Sequence, residues 1–269
     1  MSIGRLLGKG NTADIYEWGS DKILKLYNEK LPPFLCTQEF EITKQVYALL
    51  GVCPEAFELV EQNGRCGAIY QRVSGKTLMQ RMMFSVWTLK KKSRLLAQLH
   101  RDIHQEVPFE LPSVKEQLIS AISRVPAFTD AEKAYLYEYI RRLPDGNTLC
   151  HMDFHPLNIL MQGKKPVVID WMTAVKGCAL ADVARSYVIL KYSVPPVKNR
   201  LLQKLIAAFA NTLCEEYLRE YLRLANASRQ DVERWIMPIA AARMNEWLSP
   251  KEKSALLKVA REKMADKKG

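Results

Sequence analysis

His151-Met152-Asp153-Phe154-His155-Pro156-Leu157-Asn158 is the stretch on which the reading of this chain turns. It sets a histidine, an aspartate and an asparagine at H-x-D-x-x-x-x-N spacing. Twelve residues after Asn158, Asp170 closes the apolar run Val167-Val168-Ile169. An aspartate in such a loop can aim a hydroxyl and accept its proton. An asparagine amide and a second carboxylate are hard oxygen donors of the kind Mg²⁺ takes together with phosphates. Asn158 to Met161, the turn Gly163-Lys164-Lys165 and Pro166 to Asp170 read as a hairpin. Such a hairpin returns Asn158 and Asp170 to one edge. His151 has two readings: a catalytic group beside Asp153, or a side chain that holds the loop through backbone hydrogen bonds.

Working outward, the N-terminal segment carries a second signal. Gly8-x-Gly10-x-x-Ala13-x-Ile15 is a glycine-rich turn between two expected strands. The exposed N–H groups of such a turn can cover phosphate oxygens. Ala13 stands where a third glycine is usual. Lys25 projects from the next strand, and Glu41 on the helix after it is the expected partner, with Glu39 the alternative. The order of glycine loop, lysine, glutamate, H-x-D-x-x-x-x-N and aspartate is more specific than any member of it. It is the order of a phosphoryl-transfer site, where catalysis consists mostly of positioning and charge stabilisation.

The fold expected is α+β, bilobal and protein-kinase-like. Strands are expected over 3–7, 14–18, 22–27, 57–61 and 67–73, the last two joined by the Asn63-Gly64 hairpin signal. Pro32-Pro33 breaks the chain before a helix over 38–50. Beyond Ser74-Gly75 the pattern turns helical. Capping boxes open helices at Ser113 with Glu116, Thr129 with Glu132 and Ser249 with Glu252. Long helices are expected over 198–224 and 231–248, the second kinked at Pro238. The expected division is a nucleotide-binding lobe over 1–73, a hinge over 74–78 and a helical lobe with the acceptor pocket over 79–269.

The net charge of +11 over 269 residues suits a solvated basic surface or phosphate-bearing ligands. Positives cluster at Lys90-Lys91-Lys92 and in the tail at Lys258, Arg261, Lys263, Lys267 and Lys268. No zinc-finger spacing or aromatic RNA-binding signature accompanies them, so charge alone does not decide function. No apolar run approaches the roughly 18 residues of a membrane span, and the first ten residues lack the apolar core of a signal peptide. The six cysteines show no C-x-x-C spacing and read as reduced, mostly buried thiols of a cytoplasmic protein.

The chain resembles the aminoglycoside phosphotransferase and choline kinase superfamily over nearly its whole length. HMDFHPLNIL, VVIDW and LADVARSYVIL carry the resemblance most strongly, and LAQLHRDIH over 96–104 adds to it. It implies Asp153 as catalytic base and Asn158 with Asp170 as Mg²⁺ ligands. It implies Lys25 with Glu41 as the phosphate-positioning pair, and adenine held by backbone near Gln71 and Val73. ATP or GTP would be the co-substrate. Asp182 and Arg185 would buttress the catalytic loop.

Between Asp170 and the helix expected near Leu180 there is too little chain for the activation segment and peptide platform of a protein kinase. A small hydroxylated acceptor is therefore expected. Its pocket is assigned to the later helices, with Trp235, Met244, Glu246 and Trp247 as wall residues. Glu215, Glu216, Glu220 and Glu246 are the acidic groups available for a cationic acceptor. Three rivals stand beside this reading: a catalytically silent kinase-fold binding module, a metal-dependent hydrolase using His151, Asp153 and His155, and a basic nucleic-acid-binding module.

Overall fold

The computed structural model describes residues 3–82, 86–193, 197 and 199–266. Lys198, Lys267 and Lys268, which the sequence reading placed in a helix start and a basic tail, lie outside them. In chain order the strands are β1 (Leu6–Lys9), β2 (Ala13–Trp18), β3 (Lys22–Tyr27), β4 (Ala56–Gln62), β5 (Arg65–Gln71) and β6 (Lys76–Thr77). The short strands β7 (Thr148–Cys150), β8 (Ile159–Gln162), β9 (Lys165–Val168) and β10 (Val175–Gly177) follow. The helices are α1 (Pro33–Leu50), α2 (Leu78–Met82), α3 (Val86–Ile103), α4 (Val114–Ser123) and α5 (Asp130–Arg142). After them come α6 (Ala179–Tyr192), α7 (Arg200–Ala225), α8 (Arg229–Arg243) and α9 (Pro250–Asp266).

The chain forms two compact units, Met1–Arg81 with Pro156–Thr173, and Met82–His155 with Ala174–Gly269. These do not follow the expected segments 1–73, 74–78 and 79–269. The reason is strand pairing: β6 pairs with β8, so the β8–β9 hairpin joins the N-terminal strands. Gly75 allows this approach, because a Cβ there would collide with the Met161 carbonyl oxygen.

The first unit is built on an antiparallel sheet of order β1-β2-β3-β5-β4. Asn63 and Gly64 both adopt positive φ, as the tight turn between β4 and β5 requires. Helix α1 packs on β4 and β5. It begins earlier than expected because Pro33, a breaker inside a helix, is favourable in the first helical turn, where its missing N–H is no loss. Its buried stripe of Cys36, Glu39, Phe40, Thr43 and Val46 repeats every three or four residues.

A disulfide joins Cys36 of α1 to Cys66 of β5. This corrects the reading of six reduced thiols: the partners are 30 apart in sequence, and only the packing of α1 on the sheet brings them together. Cys53, Cys150, Cys178 and Cys214 remain thiols.

The second unit is helical, with α3 against α7 and α6 against α8. Capping boxes open α4 at Ser113 and α5 at Thr129, as expected, and a further one opens α8 at Ser228. At α9 the Ser249 hydroxyl accepts from the Glu252 N–H. Helix α8 contains Pro238 and stops at Arg243, short of the expected Leu248. Among the described residues no helix is long and apolar enough to cross a membrane.

Candidate active site

In the first unit the site grows from the register of β3. Lys25 stands opposite Ile15 on one side and Ala68 on the other. Its Nζ donates to Glu39 Oε1 at 2.6 Å and to Asp170 Oδ1 at 3.0 Å. Glu39 is buried and also accepts from the Tyr27 hydroxyl at 2.7 Å. Burial works against a charged Lys25, but Glu39 and then Asp170 outweigh it and hold the ammonium well above its ordinary range. Burial pushes the Glu39 carboxyl up, against the pull of Lys25.

The expected partner, Glu41, is not the one used. Two residues on from Glu39 it lies about 200° around the helix, exposed, with Lys44 as its neighbour at 3.9 Å. The buried stripe through Cys36, Phe40 and Thr43 was the signal that favoured Glu39.

The β8–β9 hairpin pairs Ile159 with Val168, and the Ile169 N–H donates to the Asn158 carbonyl at 2.9 Å. Asn158 and Asp170 therefore sit at the same open end, as the hairpin reading expected. Asp170 adopts φ 68°, which breaks the strand direction. Its carboxylate keeps 36% exposure while Lys25 takes one oxygen. A carboxylate and an amide at one end suit a hard divalent cation such as Mg²⁺.

Gly8, Gly10, Lys25, Glu39, Gln71, Val73 and Asp170 all line one pocket of about 640 Å³ in this unit. Its volume is that of a small-molecule site. The Gln71 and Arg72 N–H groups are already bonded to the carbonyls of Glu55 and Asp21.

In the second unit the loop that carries Asp153 is held from beneath by Asp182. This buried carboxylate accepts the His151 N–H at 2.6 Å and the Met152 N–H at 2.9 Å. His100 and His104 bring Nε2 to the same Oδ2 at 3.0 and 3.3 Å. Their Nδ1 atoms lie 2.6 Å from the hydroxyls of Tyr217 and Tyr221. Burial alone would raise the Asp182 pKa, yet His100 and His104 draw it well below the usual carboxylate range. Burial pushes His100 down to about 4, against the pull of Asp182, so its ring is neutral at pH 7. His104 Nε2 is hydrogen-bonded to Asp182 Oδ2, and each histidine Nδ1 meets a tyrosine hydroxyl. These three residues are a grouping that could ligate a metal, but the tyrosines and backbone already engage them.

Met152, a bulky residue, sits at φ 60°. Such a conformation costs on the order of 1–3 kcal/mol. Its N–H goes to Asp182, and its carbonyl accepts from Arg185 Nε. Arg185 also pairs with Glu246 at 2.8 Å. Asp182 and Arg185 thus clamp a strained turn, the buttressing part that the family resemblance implied for them.

His151 is fully buried and its Nδ1 accepts the Asp153 N–H at 3.2 Å. That is the loop-holding role, one of the two readings of His151 drawn from the sequence. Residues 151–153 form no strand, so His151, Asp153 and His155 do not line up on a shared face as the hydrolase reading needs. Asp153 keeps 32% exposure, with His155 Nε2 3.4 Å away. Burial would raise its pKa, but His155 and then Arg185 hold it well below the usual range.

The proposed acceptor walls divide. Trp235 is buried core and Trp247 is 79% exposed. Each acidic candidate already has an arginine: Glu215 with Arg229, Glu216 with Arg94 and Arg219, Glu220 with Arg223, and Glu246 with Arg185 and Arg243.

Residues 4–226 match the model of the phosphotransferase enzyme family, and the chain belongs to that family. No curated protein matches it. Among solved structures, an aminoglycoside-3'-phosphotransferase of type VIII superposes with a TM-score of 0.64 at 16% identity, covering 90% of this chain and 93% of that one. A choline/ethanolamine kinase family protein from Mesorhizobium loti gives 0.56 at 15% identity, covering 98% and 87%. The aminoglycoside phosphotransferase APH(3'')-Id from Streptomyces rimosus, in complex with ADP and streptomycin, gives 0.56 at 14%, covering 85% and 90%. The superfamily read from the motifs and the α+β kinase-like fold are both borne out.

Proposed function

We propose that this protein transfers the γ-phosphoryl group of ATP or GTP to a hydroxyl of a small molecule in the cytoplasm, where the nucleotide is. The observation that carries the reading is Lys25, buried, held charged between Glu39 and Asp170, on the wall of a pocket that also includes Gly8 and Gly10. A cation fixed in this way is ready for phosphate oxygens. Val73 is the better backbone contact for the base, since the Gln71 N–H is spent. Asn158 and Asp170 would hold Mg²⁺, which when bound neutralises charge on the phosphates. Asp153 orients the acceptor hydroxyl and takes its proton. Its depressed pKa keeps it ionised across the working range, and a loose transition state asks little basicity of it.

The acceptor is a small molecule because only a 3-10 turn, Trp171–Thr173, and the short β10 separate Asp170 from α6. Nothing in that stretch forms a shelf for an extended peptide. The arginine-paired glutamates give no ground for a polycationic acceptor. The test is a set of thermal melts with ATP or GTP, with and without Mg²⁺. Saturation at a hundred times the dissociation constant should stabilise the fold by about 2.7 kcal/mol. Absence of a metal-dependent shift with either nucleotide would count against the reading. A screen of hydroxylated metabolites for acceptor-dependent ADP or GDP release would then identify the substrate.

A further inference from the structure

The structure leaves one chemically reactive feature without a part in phosphoryl transfer, the Cys36–Cys66 disulfide. Its two ends adjoin the two halves of the Lys25–Glu39 pair. Cys36 lies one turn before Glu39 on the same buried stripe of α1. Cys66 lies on β5 two residues before Ala68, which stands opposite Lys25 in the ladder. Cys36, Tyr27, Phe40, Ala68 and Tyr70 form one apolar cluster with Cys66 packed against it. Tyr27 in that cluster donates to Glu39. The bond therefore ties the helix that supplies the glutamate to the sheet that supplies the lysine.

We propose that Cys36–Cys66 is a reversible thiol–disulfide exchange site for a dithiol reductant, and that its state sets how firmly α1 holds Glu39 on Lys25. Exchange starts at Cys66, because Cys36 is fully buried whereas Cys66 is partly exposed. A thiolate of the reductant attacks Cys66 Sγ, the S–S bond breaks, and Cys36 leaves as a thiolate that takes up a proton. The second reductant thiolate then attacks the mixed disulfide at the reductant's own sulfur. Cys66 is released and protonated, and the reductant keeps a disulfide. Two electrons and two protons pass from the dithiol to the protein pair, and oxidised glutathione can reverse the transfer.

The remaining cysteines do not compete. Burial pushes Cys53 and Cys214 up to about 12 and raises Cys150 and Cys178, so all four stay protonated and poorly nucleophilic. In the reduced state α1 keeps its apolar packing but loses its covalent tie. Glu39 then samples positions off Lys25 more often. The consequence for nucleotide binding rests on the function proposed above; the coupling of the disulfide to α1 does not.

The experiment uses the full chain treated with dithiothreitol or with oxidised glutathione. Alkylation after unfolding and mass measurement should find the four free cysteines modified in the oxidised form and all six in the reduced one. Amide hydrogen exchange over residues 33–50 should be roughly tenfold faster after reduction. Cys36→Ser and Cys66→Ser should exchange at the reduced rate under both treatments. Mg²⁺–nucleotide affinity should fall in the reduced form, by about three- to tenfold. Six alkylated cysteines after both treatments, or equal α1 exchange in forms that differ by two thiols, would overturn the inference. If neither form binds nucleotide, the functional reading fails, and the α1 exchange rates still decide the coupling.

Discussion

Asp170 and Asp182 are both aspartates set among cations and donors, yet the chain uses them in opposite ways. Asp182 is fully buried, and backbone N–H groups and histidines converge on its two oxygens. Such a carboxylate has no coordination left to offer, and its charge is spent on holding Met152 in a strained turn. Asp170 gives one oxygen to Lys25 and keeps a third of its side-chain surface open at a pocket wall. Burial alone would have marked Asp182 as the functional group. What separates anchor from reagent is whether the protein itself has satisfied the charge.

The widest separation is expected in turnover. Asp153→Ala and Asp170→Ala should each lower kcat by about 10³-fold or more, the scale of removing a positioned base or a metal ligand. Asp153→Ala should bind Mg²⁺–nucleotide as the native protein does, and Asp170→Ala should lose the Mg²⁺ dependence of binding. Calorimetric titration distinguishes them. Turnover within tenfold of native in Asp153→Ala would remove it from the reaction.

Next is the anchor. Asp182→Ala leaves buried donors without an acceptor and should cost about 3–5 kcal/mol of stability, read by urea unfolding. Asp170→Ala should change stability by less than about 1 kcal/mol. Similar losses from both variants would erase the distinction drawn between them.

The pH dependence follows from His100, whose folded pKa is lowered from 6.5 to about 4. Between those values the unfolded chain binds the extra proton, so stability rises with pH through the window and is full above about 6.5. Each pH step of one across that window is worth about 1.4 kcal/mol, so acidification to pH 4 should cost roughly 3 kcal/mol. His100→Gln should flatten this slope in unfolding curves run at several pH values.

The smallest effect separates two neighbouring glutamates. Glu39→Gln should reduce kcat about tenfold or more by loosening Lys25, whereas Glu41→Gln should stay within about twofold. Equal effects would reopen the assignment.

The sequence by itself determined the parts whose signal is local. The H-x-D-x-x-x-x-N run, the apolar strand before Asp170 and the Asn63-Gly64 turn each act over a few residues, and side-chain chemistry with backbone geometry decides them there. The capping boxes at Ser113 and Thr129 belong with them. Only the tertiary structure decided which of Glu39 and Glu41 meets Lys25, because that depends on the face of α1 packed against the sheet. It also decided that His151 holds its loop, since burial and a backbone donor define that role. The Cys36–Cys66 bond and the joining of the β8–β9 hairpin to the first unit depend on residues 30 or more apart in sequence. Such contacts are fixed by how helix and strand faces pack, and a residue's type and near neighbours do not encode that partner.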